Sequence, residues 1–157
     1  MTRVRVPLLA AVILLGVVVD PAVAQDCEGT ITIDAAGTIK DPGLIKCDAG
    51  KNVRWRVVNN TDRNLAVSMV SFTPKDAGAP KQPSNEAKKD VNVDRKNSAT
   101  SSQFKIKDKA QFPKLPVTYK YTITAKDRVT GQSLKALDPD LEVTPPPAPS
   151  PMARRLR

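Results

Sequence analysis

From Asn52 to Phe72 the chain reads NVRWRVV, NNTDRN, LAVSMVSF: two apolar, β-prone runs flank a six-residue polar loop. That pattern predicts a strand, a turn and a returning strand, a hairpin-like spine for the rest of the chain. Val53, Trp55 and Val57 alternate with Arg54, Arg56 and Val58, so period two sends the first set to a core and the two arginines outward. In the second run Leu65, Val67 and Met69 share one face, and a bulge or change of face is expected at Ser71–Phe72.

The same alternation recurs along the chain. TITI (30–33) and LIKC (44–47) read as short strands, separated by turn signals at Ala35-Ala36-Gly37 and Asp41-Pro42-Gly43. QFKIK (103–107) turns Phe104 and Ile106 inward. VTYKYTITA (117–125) is the strongest strand, with Val117, Tyr119, Tyr121 and Ile123 on one face. FPKLP (112–116) is a rigid connector, Asp127–Gly131 a turn, and Leu141-Glu142-Val143 a short last strand. Between Thr73 and Ser102 the pattern lapses into a long polar loop, where only Val91 and Val93 suggest a strand and NEAKK (85–89) suggests one helical turn. With seven or eight short strands and no convincing helix, the fold class is all-β, a small Greek-key β-sandwich.

Both ends fall outside this pattern. Arg3 and Arg5 precede an apolar run, Val6 to Val19, and Ala22-Val23-Ala24 is a small-residue cleavage site. Residues 1–24 therefore read as a signal peptide cut between Ala24 and Gln25; the competing reading is an uncleaved anchor. Residues 25–143 form the sandwich domain. Residues 144–157, TPPPAPSPMARRLR, read as a disordered, polyproline-like basic tail. The mature chain is expected to be secreted or periplasmic, with no integral membrane segment after cleavage.

Charge changes the picture of partners. The chain has 25 Lys+Arg against 16 Asp+Glu; losing Arg3, Arg5 and Asp20 leaves 23 against 15, a net +8. Such a protein is drawn to anionic surfaces. The outward residues Arg54, Arg56, Lys105, Lys107 and Lys120 are a candidate anion-binding face; the simpler reading is solvated charges that keep strand edges apart. The aromatic residues alternate to the opposite side, which disfavours nucleic acid.

Two cysteines, Cys27 and Cys47, are expected to pair as a disulfide in an oxidising compartment. The chain has no histidine. That removes Ser-His-Asp and Cys-His catalysis and the usual imidazole metal ligands. Asp90, Asn92 and Asp94 lack the glycine turn of a calcium loop. Asp138, Asp140 and Glu142 read as an acidic turn rather than a catalytic pair. Asn59-Asn60-Thr61 has the form of a glycosylation sequon and reads more simply as a turn.

The order of these features resembles the cupredoxin family. The matching pieces are Asp48-Ala49-Gly50, Val53-Arg54-Trp55, Asn59-Asn60, Val67 to Phe72, Tyr119-Lys120-Tyr121 and Leu141-Glu142-Val143, spanning Thr30 to Val143. An immunoglobulin-like sandwich is the alternative. The resemblance implies a copper site that opens the strand after the Asn-rich loop and is completed beyond Tyr121. Here those positions hold Asn64-Leu65 and Thr122 to Gly131, with no His, Cys or Met. The expectation is an exported, non-catalytic, metal-free binding or scaffold module of unknown ligand, with an anionic envelope polymer or another exported protein as the candidate partners, and with no cofactor. The competing expectations are an envelope protein that adheres to anionic polymer and, less favoured, an enzyme.

Overall fold

The computed structural model describes residues 26–148. The expected signal peptide, its expected cleavage point at Ala24–Gln25 and the end of the tail lie outside the described residues. Ten strands form: β1 (Cys27–Ile33), β2 (Ile39–Lys40), β3 (Ile45–Asp48), β4 (Asn52–Asn59), β5 (Leu65–Pro74), β6 (Lys89–Val93), β7 (Asn97–Thr100), β8 (Phe104–Lys105), β9 (Val117–Asp127) and β10 (Asp140–Thr144). A single 3₁₀ turn, Lys109–Gln111, is the one helical element among the described residues, and no helix there is long and apolar enough to cross a membrane.

The strands make two five-stranded sheets. One runs β2-β1-β4-β7, with β8 also on β4; the other runs β3-β10-β9-β5-β6. Each contains one parallel pair, β1 with β4 and β3 with β10. An immunoglobulin-like sandwich is built from two antiparallel sheets, so these pairs separate the fold from that alternative.

The spine is not a hairpin. β4 and β5 belong to different sheets, and the Asn59–Asn64 loop carries the chain across the core edge. Asn59 causes the crossing. It ends β4 fully buried, and its amide donates to the Arg63 carbonyl (2.8 Å) and the Asp94 carbonyl (3.1 Å). Its oxygen accepts the Thr61 N–H (3.0 Å) and hydroxyl (2.7 Å). These bonds close the loop locally and leave no backbone ladder between the two strands. The sequon reading fails for the same reason, since this amide is inaccessible to a glycan.

The polar stretch 73–102 is also not one loop. β6 extends the second sheet beside β5 and β7 extends the first beside β4. Both are edge strands, where polar residues face water on one side at little cost. Residues 85–88 form no helical turn, and Lys89 already opens β6.

The core lies between the sheets, filled by the alternating residues. Val53, Trp55 and Val57 of β4 face Leu65, Val67 and Met69 of β5 and Tyr119, Tyr121 and Ile123 of β9, all essentially fully buried. At Ser71 the backbone turns left-handed (φ 56°), and the β5–β9 register shifts between Val70 and Thr73. The bulge reverses the alternation and puts Phe72 inside, where strict period two would have put Ser71. Phe72 then stacks on Tyr121 (5.3 Å, 15°) and Phe104 (5.0 Å, 23°), with Trp55 edge-on to Phe104 (5.4 Å, 69°). Gly29 of β1 is buried over this core, where an added Cβ would meet the end of the Ile45 side chain and require it to shift.

Cys27 and Cys47 form a disulfide with Cα atoms 5.6 Å apart. It joins the start of β1 in one sheet to β3 in the other, so it ties the two layers together.

Candidate functional site

The strand directions gather the loops at two ends of the sandwich. One end holds Ala35–Gly37, Asn59–Asn64, Asp94–Lys96 and Asp127–Gly131. The resemblance would locate metal ligands here, because Asn64 and the residues after β9 meet: the Arg128 N–H donates to the Asn64 carbonyl (2.8 Å). The Asn64 side-chain oxygen accepts the Arg95 N–H (3.1 Å), and Arg128 pairs with Asp94. Asp127 is buried and accepts the Val129 N–H (2.8 Å) and the Thr130 N–H (3.3 Å). The Val129 N–H above all, then Thr130 and the Arg63 charge, hold its carboxyl below the usual range. The donors therefore do not fit a copper ion. They are amide and carboxylate oxygens already engaged by N–H groups, with no imidazole or thiolate to supply copper's preferred ligands. Among the described residues no three His, Cys, Asp or Glu side chains converge as a metal site.

The long polar stretch and the Asn59–Asn64 loop do touch, and the contact is closed. The Lys96 N–H donates to the Thr61 carbonyl (3.1 Å) and the Lys96 ammonium to the Asn60 carbonyl (2.7 Å). The nearest cleft opens on the other side of the loop, between Ala35–Gly37 and Thr61–Arg63, with about 190 Å³ of space.

The candidate cationic face is only partly assembled. Arg54 and Arg56 lie on the outer side of β4, and Lys105 lies beside them on β8, opposite Asn52. Arg54 is engaged by Asp26 (3.2 Å), and the Lys105 ammonium donates to the Gly50 carbonyl. Lys107 lies past the end of β8, half-buried, its N–H bonded to the Pro83 carbonyl. Lys120 does not join them. It is on β9, outward from the opposite sheet, 3.7 Å from Asp138. Alternation marks a residue as outward, and a sandwich has two outsides.

The acidic candidates are likewise divided. Asp138, Asp140 and Glu142 face Lys120, Lys75 and Lys46 respectively (3.7, 2.6 and 3.1 Å), which makes three separate ion pairs, one just before β10 and two on it, and not a catalytic pair. Asp90 accepts the Ser68 hydroxyl (2.6 Å) and pairs with Lys88; these two contacts hold its carboxyl low. Asn92 is exposed on the same strand, and Asp94 is turned to Arg128, so no calcium loop forms.

Sequence reasoning missed the other end of the sandwich. There the Asp48–Lys51 turn, residues 80–83, the 3₁₀ turn and the 112–116 connector meet. The Gly50 N–H donates to the Lys107 carbonyl (3.0 Å) and the Ile106 N–H to the Lys51 carbonyl (2.9 Å). Three segments distant in sequence bring lysine there: Lys51, Lys81, and the stretch that holds Lys105, Lys107, Lys109 and Lys114. Their scatter along the chain hid the cluster.

The chain matches no protein-family model, and no characterised protein matches its sequence. Among solved structures, a multicopper oxidase, mgLAC, is similar at 18% identity with a TM-score of 0.36, over 83% of this chain and 42% of that one. This chain thus spans less than half the length of that structure. A likeness of that degree carries no inference about activity.

Proposed function

We propose that the chain is an exported, metal-free, cupredoxin-like sandwich that serves as a binding or scaffold module and not as an enzyme. One observation carries this reading: at the end where the resembled family holds copper, Asn64 accepts the Arg95 and Arg128 N–H groups, Asp94 pairs with Arg128, and Asp127 accepts the Val129 and Thr130 N–H groups. A surface whose polar groups are internally satisfied favours rigidity over ligand chemistry. The separate lysine partners of Asp138, Asp140 and Glu142 argue in the same direction against carboxylate catalysis. Export to an extracellular or periplasmic space is supported by the leader pattern and the cross-sheet disulfide. Titration with copper tests the reading. No stoichiometric uptake and no blue absorption band are expected; either would overturn it.

The neighbouring positions of Arg54, Arg56 and Lys105 favour a second reading, adhesion to an anionic envelope polymer. Salt-sensitive retention on a polyanionic resin, lost on replacing Arg54, Arg56, Lys105 and Lys107 with Gln, would support it. Retention unchanged by those replacements would remove this face as its seat.

A further inference from the structure

We propose that the lysine-rich end of the sandwich is a membrane-contact surface, which meets the anionic headgroups of a phospholipid bilayer. Lys51, Lys81, Lys105, Lys107, Lys109 and Lys114 converge there, and among the described residues none of the six makes an ion pair. Lys81, Lys105, Lys109 and Lys114 are exposed, and Lys51 and Lys107 half-buried.

The carboxylates at this end have other partners. Asp48 accepts the Thr144 hydroxyl (2.6 Å) and Asp76 the Thr118 N–H (3.0 Å), while Asp108 opens the 3₁₀ turn through its backbone groups. Asp26 holds Arg54 and Glu86 holds Lys89. They lower the local field without neutralising any one of the six lysines. At the opposite end Arg128 is matched by Asp94 and Lys96 by Asp62, while Arg63 reaches only the Gln132 side chain.

Two features favour a flat bilayer over a single polymer chain. The lysines stand on separate loops, and the two clefts between those loops, beside Lys114 and beside Lys105 and Lys107, measure only about 180 and 130 Å³. Ligand-sized sites begin at about 300 Å³, so these seat no polymer repeat, whereas a plane of headgroups reaches all the loops at once. Next, β10 ends here at Thr144, so the sequence carrying Arg154, Arg155 and Arg157 departs from this end. The exposed large apolar residues, Leu44 and Val129, lie elsewhere. Attachment is therefore electrostatic and interfacial, with no inserted wedge.

This surface extends the scaffold reading by naming what the scaffold meets. Copper uptake would overturn that reading and leave this one standing. The test is sedimentation of the chain from Gln25 to Arg157 with vesicles of phosphatidylcholine alone or with phosphatidylglycerol as about a third of the lipid. Two charge-matched variants are compared, K51Q/K109Q/K114Q at the lysine-rich end and R95Q/K126Q/K135Q away from it. Binding to phosphatidylglycerol vesicles only is expected, falling as salt rises. The first variant should weaken it about fivefold per lysine, roughly a hundredfold in all, and the second should leave it near wild type. Equal weakening by both variants would reduce the effect to net charge and overturn the proposal. So would binding to phosphatidylcholine alone, or binding to soluble heparin with none to phosphatidylglycerol vesicles.

Discussion

The Trp55 indole N–H donates to the Tyr121 hydroxyl at 3.1 Å, across the buried interior and from one sheet to the other. Both side chains are fully buried, so neither group has water as a substitute partner. Tyr121→Phe leaves the indole N–H unsatisfied and should cost about 1–3 kcal/mol. Urea unfolding followed by the fluorescence of the single Trp measures it. A change below about 0.5 kcal/mol would mean that the bond contributes little.

Burial also governs the tyrosines' titration. Tyr119 is pushed up to about 12, by burial first and then by the charge of Asp76, and burial raises Tyr121 as well. The folded values exceed the unfolded one, so this contribution to stability is complete below about pH 10 and is lost as pH rises toward 12. These are the only two tyrosines in the chain. Tyrosinate absorbance of the folded protein should stay flat through pH 10 and rise together with unfolding. A native-state transition at pH 10 would contradict the buried geometry.

The acid side has the opposite sign. Asp34 is held low by the Lys40 ammonium and the Thr38 N–H, and Asp127 by the Val129 N–H and its neighbours. Depressed folded values stabilise the protein above about pH 4, and that stability is lost as pH falls through the folded values. Asp127→Asn keeps the acceptor and removes the titration. Thermal unfolding of the variant should therefore depend less steeply on pH below 4 than that of the wild type.

Asn59 makes four hydrogen bonds that turn the chain from one sheet to the other. Asn59→Ala should cost about 3 kcal/mol, because it strands the Thr61 N–H and buried carbonyls. Asn59→Asp should cost at least as much, since a carboxylate would then face the Arg63 and Asp94 carbonyls. Denaturant midpoints of the two variants check this order.

Reduction of Cys27–Cys47 releases a loop of sequence separation 20 and the tie between the layers. The expected loss is about 3 kcal/mol. Comparing denaturant midpoints of the oxidised chain and a Cys27→Ser/Cys47→Ser variant measures it, and equal midpoints would show that the sheets need no covalent tie.

Much of the sandwich was legible from period two alone. The inward positions of Trp55, Leu65, Phe104 and Tyr121 follow from alternation, because a half-buried strand must expose every second residue. The break at Ser71–Phe72 was visible as well, since Phe72 falls out of phase with Leu65, Val67 and Met69. β6 and β7 were largely hidden. Edge strands such as NSAT (97–100) bury little, so burial writes little into their sequence.

By itself the sequence determined the strand phases, the all-β class, the net positive charge and, through the missing histidines, the chemistry that is ruled out. Tertiary structure decided the pairing. Only it sent β4 and β5 to different sheets, put Lys120 on the far side from Arg54, closed the Asn64–Arg128 contact and gathered the lysines at one end. The reason is physical: alternation records which side of a strand meets apolar neighbours, and says nothing about which strand lies alongside. That choice rests on long-range bonds such as the one from the Asn59 amide to the Asp94 carbonyl, 35 residues away.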